Sequence, residues 1–222
     1  MSRRSRRSHR QRLGVRVAVV LTVALLLVAI RFVQEIGPEG KPGERFTVVR
    51  VIDGDTFELT GGDRVRLLAI DAPEEGEALH DSATALLRRL ILGKQVRLSF
   101  ARTRRDHYGR MLAYVFLDTL FVNRVLIDSG LAWVYLFRDN NLKRPEIASL
   151  LHSQQAAIKR QTGVWALPYE PEPYYVAVPG SFRLHRPGCR SIEHTPPDEL
   201  IRYRTREEGL AAGLSPCRNC KP

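Results

Sequence analysis

Between residues 46 and 70 the chain permits few architectures. F-T-V-V-R-V-I is a β-branched run, D-G-D a tight turn, T-F-E-L a second run, T-G-G-D a second turn, and R-V-R-L-L-A-I a third run. β-Branched residues fit a pleated surface and Gly/Asp clusters reverse the chain, so the pattern predicts three successive antiparallel strands. After Pro73, Leu79, Ala83, Leu86, Leu87, Leu90 and Ile91 recur at helical spacing until Gly93. Strands are expected over residues 95–101 and 111–117, a short helix over 123–129 and an extended piece over 131–137. A last helix opens at Pro145 and stops at Gly163. Short strands interrupted by a helix predict a mainly β fold with α, a small Greek-key barrel with helices packed outside.

The third run is bracketed by Arg66 and by two carboxylates, Asp71 and Glu74, around Pro73. With a turn centred on Gly61 and Gly62, Asp55 lies opposite Leu68 and Asp71 emerges at the same end of the sheet. Strict alternation puts Asp71 on the face opposite Asp55 and Arg66, but Pro73 breaks the strand, which lets the side chain re-aim. If the acids converge, two carboxylates and a backbone carbonyl form a hard-cation site suited to calcium. Glu74 can take a proton from water, and Arg66 can give a phosphate two parallel hydrogen bonds. D-H-Y-G-R at residues 106–110 offers Arg110 on a tight turn, with Tyr108 placed to stack on a base or bond a phosphate. Each element alone marks only a turn or a solvated charge. Together on one barrel they point to attack on a phosphodiester.

V-I-D-G-D-T at 51–56, R-L-L-A-I-D-A-P-E at 66–74, D-H-Y-G-R-M-L-A-Y at 106–114 and G-L-A-W-V-Y at 130–135 resemble the staphylococcal nuclease (thermonuclease) family, in order, from about residue 45 to Trp165. The resemblance implies a five-stranded OB-fold barrel and calcium-dependent cleavage of DNA and RNA that leaves 3′-phosphates. It makes Asp55 and Asp71 the metal carboxylates, with Ala72 ligating through its carbonyl where threonine is common. It makes Glu74 the general base and Arg66 and Arg110 the phosphate-binding arginines. His107 stands where a basic residue is frequent, and the loop after Glu74 is shorter than in the secreted prototype. With Tyr108, His107 is a substrate-binding candidate, as is Tyr135, which with Phe137 can wall a base or pack in the core.

All three cysteines fall after the proline-rich stretch at 167–175. His185 with Cys189, then Cys217 with Cys220, supplies one imidazole and three thiols in two close pairs, the donor set of tetrahedral zinc. So short a segment cannot build a sizeable core, and a metal clamp offsets that. The alternative is a Cys217–Cys220 disulfide with Cys189 free. F-R-L-H-R-P-G-C with T-R-E-E-G-L-A-A-G-L-S-P-C-R-N-C resembles the small zinc-binding domains related to the N-terminal module of the Ada repair protein. Arg183, Arg186, Arg190, Arg202, Arg204 and Arg206 suggest a nucleic-acid surface or, more simply, a solvated face.

The formal charge is +11, but seven arginines crowd the first sixteen residues, and removing them leaves +4 for the rest. They precede the uncharged run at 17–30, which is shorter than the ~20 residues of a bilayer span and is extended by snorkelling arginines. No small-residue cleavage site follows, so the expectation is an uncleaved single-pass anchor, N-terminus cytoplasmic and nuclease outside. Secretion after cleavage is the alternative. The expected organisation is an anchor over 1–36, a linker over 37–44, a nuclease domain over 45–166, a linker over 167–175 and a zinc-binding module over 176–222. Expected partners are DNA, RNA and the membrane, with no protein partner predicted. The rival reading is a non-catalytic nucleic-acid- or protein-binding OB-fold module on the anchor. It has no need of Asp55, Arg66, Asp71, Glu74 and Arg110 together.

Overall fold

The computed structural model describes residues 44–137, 140 and 142–222. The first part runs β1 (Phe46–Val51), β2 (Thr56–Leu59), β3 (Arg64–Leu67), β4 (Ile70–Asp71), α1 (His80–Ile91), β5 (Gln95–Arg105), β6 (Met111–Leu117), β7 (Leu120–Phe121), α2 (Val122–Asp128), β8 (Trp133–Val134) and α3 (Pro145–Arg160). Strand order is β3-β2-β1-β5-β6-β7, and a parallel β3–β6 pairing closes β1, β2, β3, β5 and β6 into a five-stranded barrel. Closure removes the exposed edges that an open sheet would present. Val48, Phe57, Val65, Leu67, Val96 and Tyr114 fill it, and Leu87, Ile91 and Leu126 seal the helices against it. This is the OB-type barrel with packed helices that the strand pattern and motifs led us to expect.

The β2–β3 hairpin differs from expectation by one residue. Thr56 pairs with Arg66 and Glu58 with Arg64, and the Leu59 N–H donates to the Asp63 carbonyl at 2.9 Å. The loop is therefore Thr60-Gly61-Gly62, with both glycines at positive φ, and Asp55 faces Leu67 rather than Leu68. A glycine pair accepts either loop length, so the sequence could not choose between them.

Strict alternation fails before Pro73 is reached. β3 ends at Leu67, and Ala69 takes a left-handed φ of 63°. The chain turns there and re-emerges as β4, which pairs with β8 through Ile70–Val134 and Asp71–Trp133. Asn123, wholly buried, fixes this turn: its Nδ2 donates to the Leu68 carbonyl and its Oδ1 accepts from the Val115 N–H, both at 2.9 Å. The turn at Leu68 and Ala69, not the proline, brings Asp71 to the face of Arg66.

The C-terminal part contains β9 (Tyr175–Ala177), β10 (Arg183–Leu184), β11 (Ile201–Tyr203), α4 (Arg206–Ala211) and β12 (Ser215–Pro216). β9 pairs with β11 and β10 with β12. Tyr175, Leu184, Leu210 and Leu214 form one apolar cluster with Ala157 and Ile158 of α3 and with Trp165. Buried polar bonds then fix the seat. Gln154 accepts from the Val134 N–H at 2.7 Å and donates to the Leu210 carbonyl at 2.6 Å. Ser215 Oγ donates to the Val134 carbonyl at 2.9 Å and accepts from the Leu136 N–H at 3.3 Å. β12 is thus tied directly to β8, the partner of the strand that carries Asp71.

The expected single-pass membrane placement is overturned. Among the described residues no helix is long and apolar enough to cross a membrane. The longest, α3, has 16 residues against the ~20 a bilayer span requires, and it buries one face against protein. The run at 17–30, the arginines before it and the stretch at 37–43 lie outside the described residues.

Candidate active site

The turn between β1 and β2 places Asp55. Asp53 Oδ1 accepts from the Asp55 N–H at 2.9 Å, an Asx turn. Gly54 presses on the following elements: a Cβ there would fall 2.7 Å from Cβ of both Ala72 and Ala83. That close approach lets the Asp55 carboxylate reach across the barrel end. Its Oδ2 accepts from the Ala72 N–H at 2.9 Å and its Oδ1 from Thr56 Oγ1 at 3.0 Å.

Arg66 joins the two acids. Its Nη1 donates to the Leu67 and Ile70 carbonyls at 2.6 and 2.7 Å. Its Nη2 stands 2.5 Å from Asp71 Oδ1 and 3.0 Å from Asp55 Oδ2. Both carboxylates are buried. Burial pushes the Asp55 carboxyl up to about 7; Arg66 opposes that rise, while Asp53 and Asp71 add to it. Two buried acids already converge on one positive charge, and their donors are all oxygen. That donor set fits a hard divalent cation. Ala72, which follows Asp71, is buried beside the pair, its N–H spent on Asp55.

On the next wall, Asp106 organises the turn between β5 and β6. Its Oδ1 accepts from the N–H groups of Tyr108 and Arg110 at 3.0 and 2.9 Å, and its Oδ2 from Arg110 Nε at 2.8 Å. Burial raises the Asp106 carboxyl, but the hydrogen bonds and charge of Arg110 outweigh it and hold the group below its ordinary 3.8. Arg110 lies over the Tyr108 ring, which is largely exposed and tilted against His107 at 3.7 Å. Arg66, His107, Tyr108, Arg110 and Tyr135 all line one cavity of about 490 Å³. Tyr135 is buried and meets Phe137 edge-on, whereas Phe137 is exposed. Arg183 stacks on the Tyr135 ring at 3.8 Å.

Glu74 lines a second cavity, of about 620 Å³, with Asp71, Trp133 and Trp165. Its N–H donates to Glu77 Oε2 at 2.9 Å, and its carboxylate is open to solvent. The sequence reading missed Arg218. This side chain reaches back to Asp71, donating to Oδ1 and Oδ2 at 3.0 and 3.2 Å, and lies 3.7 Å from Glu74. Its place between Cys217 and Cys220 was visible; nothing in the sequence brought it near residue 71.

The four predicted soft ligands also meet. His185, Cys189, Cys217 and Cys220 hold their ligand atoms within 4.8 Å of one another, and the cysteines are free thiols. His185 Nδ1 is buried without a hydrogen-bond partner. Burial, then Arg183, lower the His185 pKa, which keeps the imidazole neutral and able to ligate. Burial pushes the Cys220 thiol up to about 12. For Cys217 burial is again the largest influence, but hydrogen bonds from the Cys220 and Asn219 backbone and from Ser191 reverse it and favour thiolate. One buried imidazole and three thiols this close form a group able to hold a metal ion.

Residues 64–167 match the family described as staphylococcal nuclease homologue. A thermonuclease of Staphylococcus intermedius is 32% identical over 161 residues, 66% of this chain and 94% of that protein. An uncharacterized endonuclease of Escherichia coli O157:H7 is 35% identical over 123 residues, covering 54% of this chain and 75% of its own. A micrococcal nuclease of Shigella flexneri is 30% identical over 142 residues, 59% of this chain and 78% of that one.

Proposed function

Since the chain belongs to the staphylococcal nuclease family, we propose that it hydrolyses phosphodiester bonds of DNA and RNA with calcium, leaving 3′-phosphate ends, at the site built on Asp55, Arg66, Asp71, Glu74 and Arg110. The observation that carries this reading is the convergence of Asp55 and Asp71 on Arg66 at the barrel end. Asp55 and Asp71, with the Ala72 carbonyl, are the groups that would hold calcium. Calcium there would draw charge from the phosphate and make its phosphorus more electrophilic. Glu74, open to solvent, takes the proton of the attacking water, whose oxygen bonds to phosphorus. The bond from phosphorus to the 5′ oxygen breaks, that oxygen takes a proton from solvent to become a hydroxyl, and the phosphate stays on the 3′ side.

Arg66 and Arg110 oppose the negative charge that grows on the phosphate oxygens. Tyr108, His107 and Tyr135 face the nucleotide from the same cavity. Residues 45–166 serve as the nuclease domain, and residues 176–222, after the stretch at 167–175, as a module clamped by zinc through His185, Cys189, Cys217 and Cys220. A binding module without chemistry would not need a solvent-open carboxylate beside paired acids and two arginines, so the rival reading is set aside.

The test is Glu74→Gln in the full chain, which keeps shape and removes the base. Cleavage should fall by about two orders of magnitude or more with folding unchanged, and products of the unmodified chain should carry 3′-phosphates. A near-normal rate removes Glu74 as the base; 5′-phosphate products overturn the direction of cleavage.

A further inference from the structure

Arg218 is separated from Asp71 by 147 positions, yet its place is fixed through a closed circuit of bonds. Asp71 pairs with Trp133 across β4 and β8. The next residue, Val134, binds Ser215 through a wholly buried hydroxyl. Pro216 and Cys217 follow, and Arg218 then donates to Asp71, closing the circuit. Two further bonds hold the knuckle that carries it. Lys221 Nζ reaches Glu77 Oε1 at 2.6 Å, and Arg186 Nε donates to the Cys220 carbonyl at 3.1 Å. With its backbone held by these neighbours and its Nη2 on Asp71, the side chain is already partly ordered before it meets a ligand.

The three arginines of the site are committed to different degrees. Arg66 spends both terminal nitrogens on Leu67, Ile70, Asp71 and Asp55. Arg110 spends its Nε on Asp106. Arg218 uses only Nη2 toward Asp71, while its side chain is 59% exposed. It lies over the Tyr135 ring at 5.2 Å. It also lines both cavities, the one with Arg66 and Arg110 and the one with Asp71 and Glu74. A guanidinium is a planar fork, so one edge can rest on a carboxylate while the other takes a phosphate oxygen.

Resting on the nuclease reading, we propose that Arg218 is a third substrate-binding arginine of this site, presented to a nucleic-acid phosphate by the cysteine knuckle. A strand passing from one cavity to the other crosses it. The C-terminal part is thereby a wall of the cleft, and it supplies positive charge beside Asp71 and Glu74.

The experiment measures binding of a single-stranded oligonucleotide by fluorescence anisotropy over a salt series. It uses the full chain in the Glu74→Gln background so that substrate is not consumed, and cleavage by the unmodified chain is followed in parallel. Arg218→Ala should weaken binding about tenfold, and the plot of log affinity against log salt should become shallower by roughly 0.7, one phosphate contact on a single strand. Arg218→Lys should keep the salt slope and lose part of the affinity. Unchanged affinity and slope in Arg218→Ala would reduce Arg218 to a counter-ion of Asp71 and overturn the proposal. Tighter binding, or faster cleavage with Arg218→Ala alone, would make it a block on the site and overturn it equally. If the unmodified chain cuts nucleic acid and Arg218→Ala changes nothing, only the role given to Arg218 falls; if the unmodified chain cuts nothing, the nuclease reading falls and takes that role with it.

Discussion

Asp55 and Asp71 share one nitrogen: Arg66 Nη2 stands 3.0 Å from an oxygen of the first and 2.5 Å from an oxygen of the second. Buried like charges repel strongly at this range, and the guanidinium offsets that repulsion. A divalent cation held by the same acids would supply the same compensation.

Arg66→Ala should therefore cost about 3 kcal/mol in calcium-free buffer, because two buried carboxylates lose their common partner. Adding calcium should restore more stability to the variant than it adds to the unmodified chain. Denaturant titrations with and without calcium check this. Equal calcium increments in both proteins would mean that Asp55 and Asp71 do not hold the ion.

Asn123 fixes the turn that re-aims Asp71, bonding Leu68 and Val115 from a wholly buried position. Asn123→Ala leaves a buried carbonyl and a buried N–H without partners, at a cost of about 2 kcal/mol. Cleavage should fall as well, because Asp71 follows the turn. Urea denaturation with an activity assay measures both; full activity in a clearly destabilised variant would show that the turn does not position Asp71.

The Asp106 carboxyl titrates below its ordinary 3.8 because Arg110 prefers it charged. A depressed folded-state pKa contributes stability that is present above the unfolded value and lost as pH falls through the folded one. Asp106→Asn should thus be less stable than the unmodified chain at neutral pH, and the gap should close as pH drops below about 3.8. Paired denaturation curves from neutral to acid pH test this; a gap that persists in acid would point to the turn hydrogen bonds rather than the ion pair.

With His185 and three thiols gathered in one group, the purified chain should hold about one zinc per molecule. Stripping it should lower the thermal midpoint and expose the thiols to alkylation. Elemental analysis and thiol counting check this. Absence of zinc together with a Cys217–Cys220 disulfide would assign the cluster to the alternative reading.

What was legible in the sequence was what local chemistry decides. The β-branched runs announced β1, β2 and β3 through period and turn residues, and the apolar spacing after Pro73 announced α1. The strand and turn pattern put Asp55 and Asp71 at one end of one sheet, and the structure gathers both there on Arg66. Three features escaped, each for a physical reason. Gly61 and Gly62 tolerate two loop lengths, so the hairpin register was open. Ala69 in a left-handed conformation is costly for an L-residue, and long-range bonds sustain it: the buried Asn123 bridge, the β4–β8 pairing and the Tyr135 N–H to the Ala69 carbonyl. Arg218 reaches Asp71 through the seating of Ser215 on β8, a contact between distant segments that no local pattern encodes.

The central claim is that paired acids and arginines at the barrel end hydrolyse nucleic acid with calcium. Its most direct measurement is the initial rate of oligonucleotide cleavage by the full chain in calcium, compared with a calcium-selective chelator. The account predicts rapid cleavage in calcium, its loss with chelator and its return when calcium is restored. Cleavage that continues undiminished in chelator would contradict it.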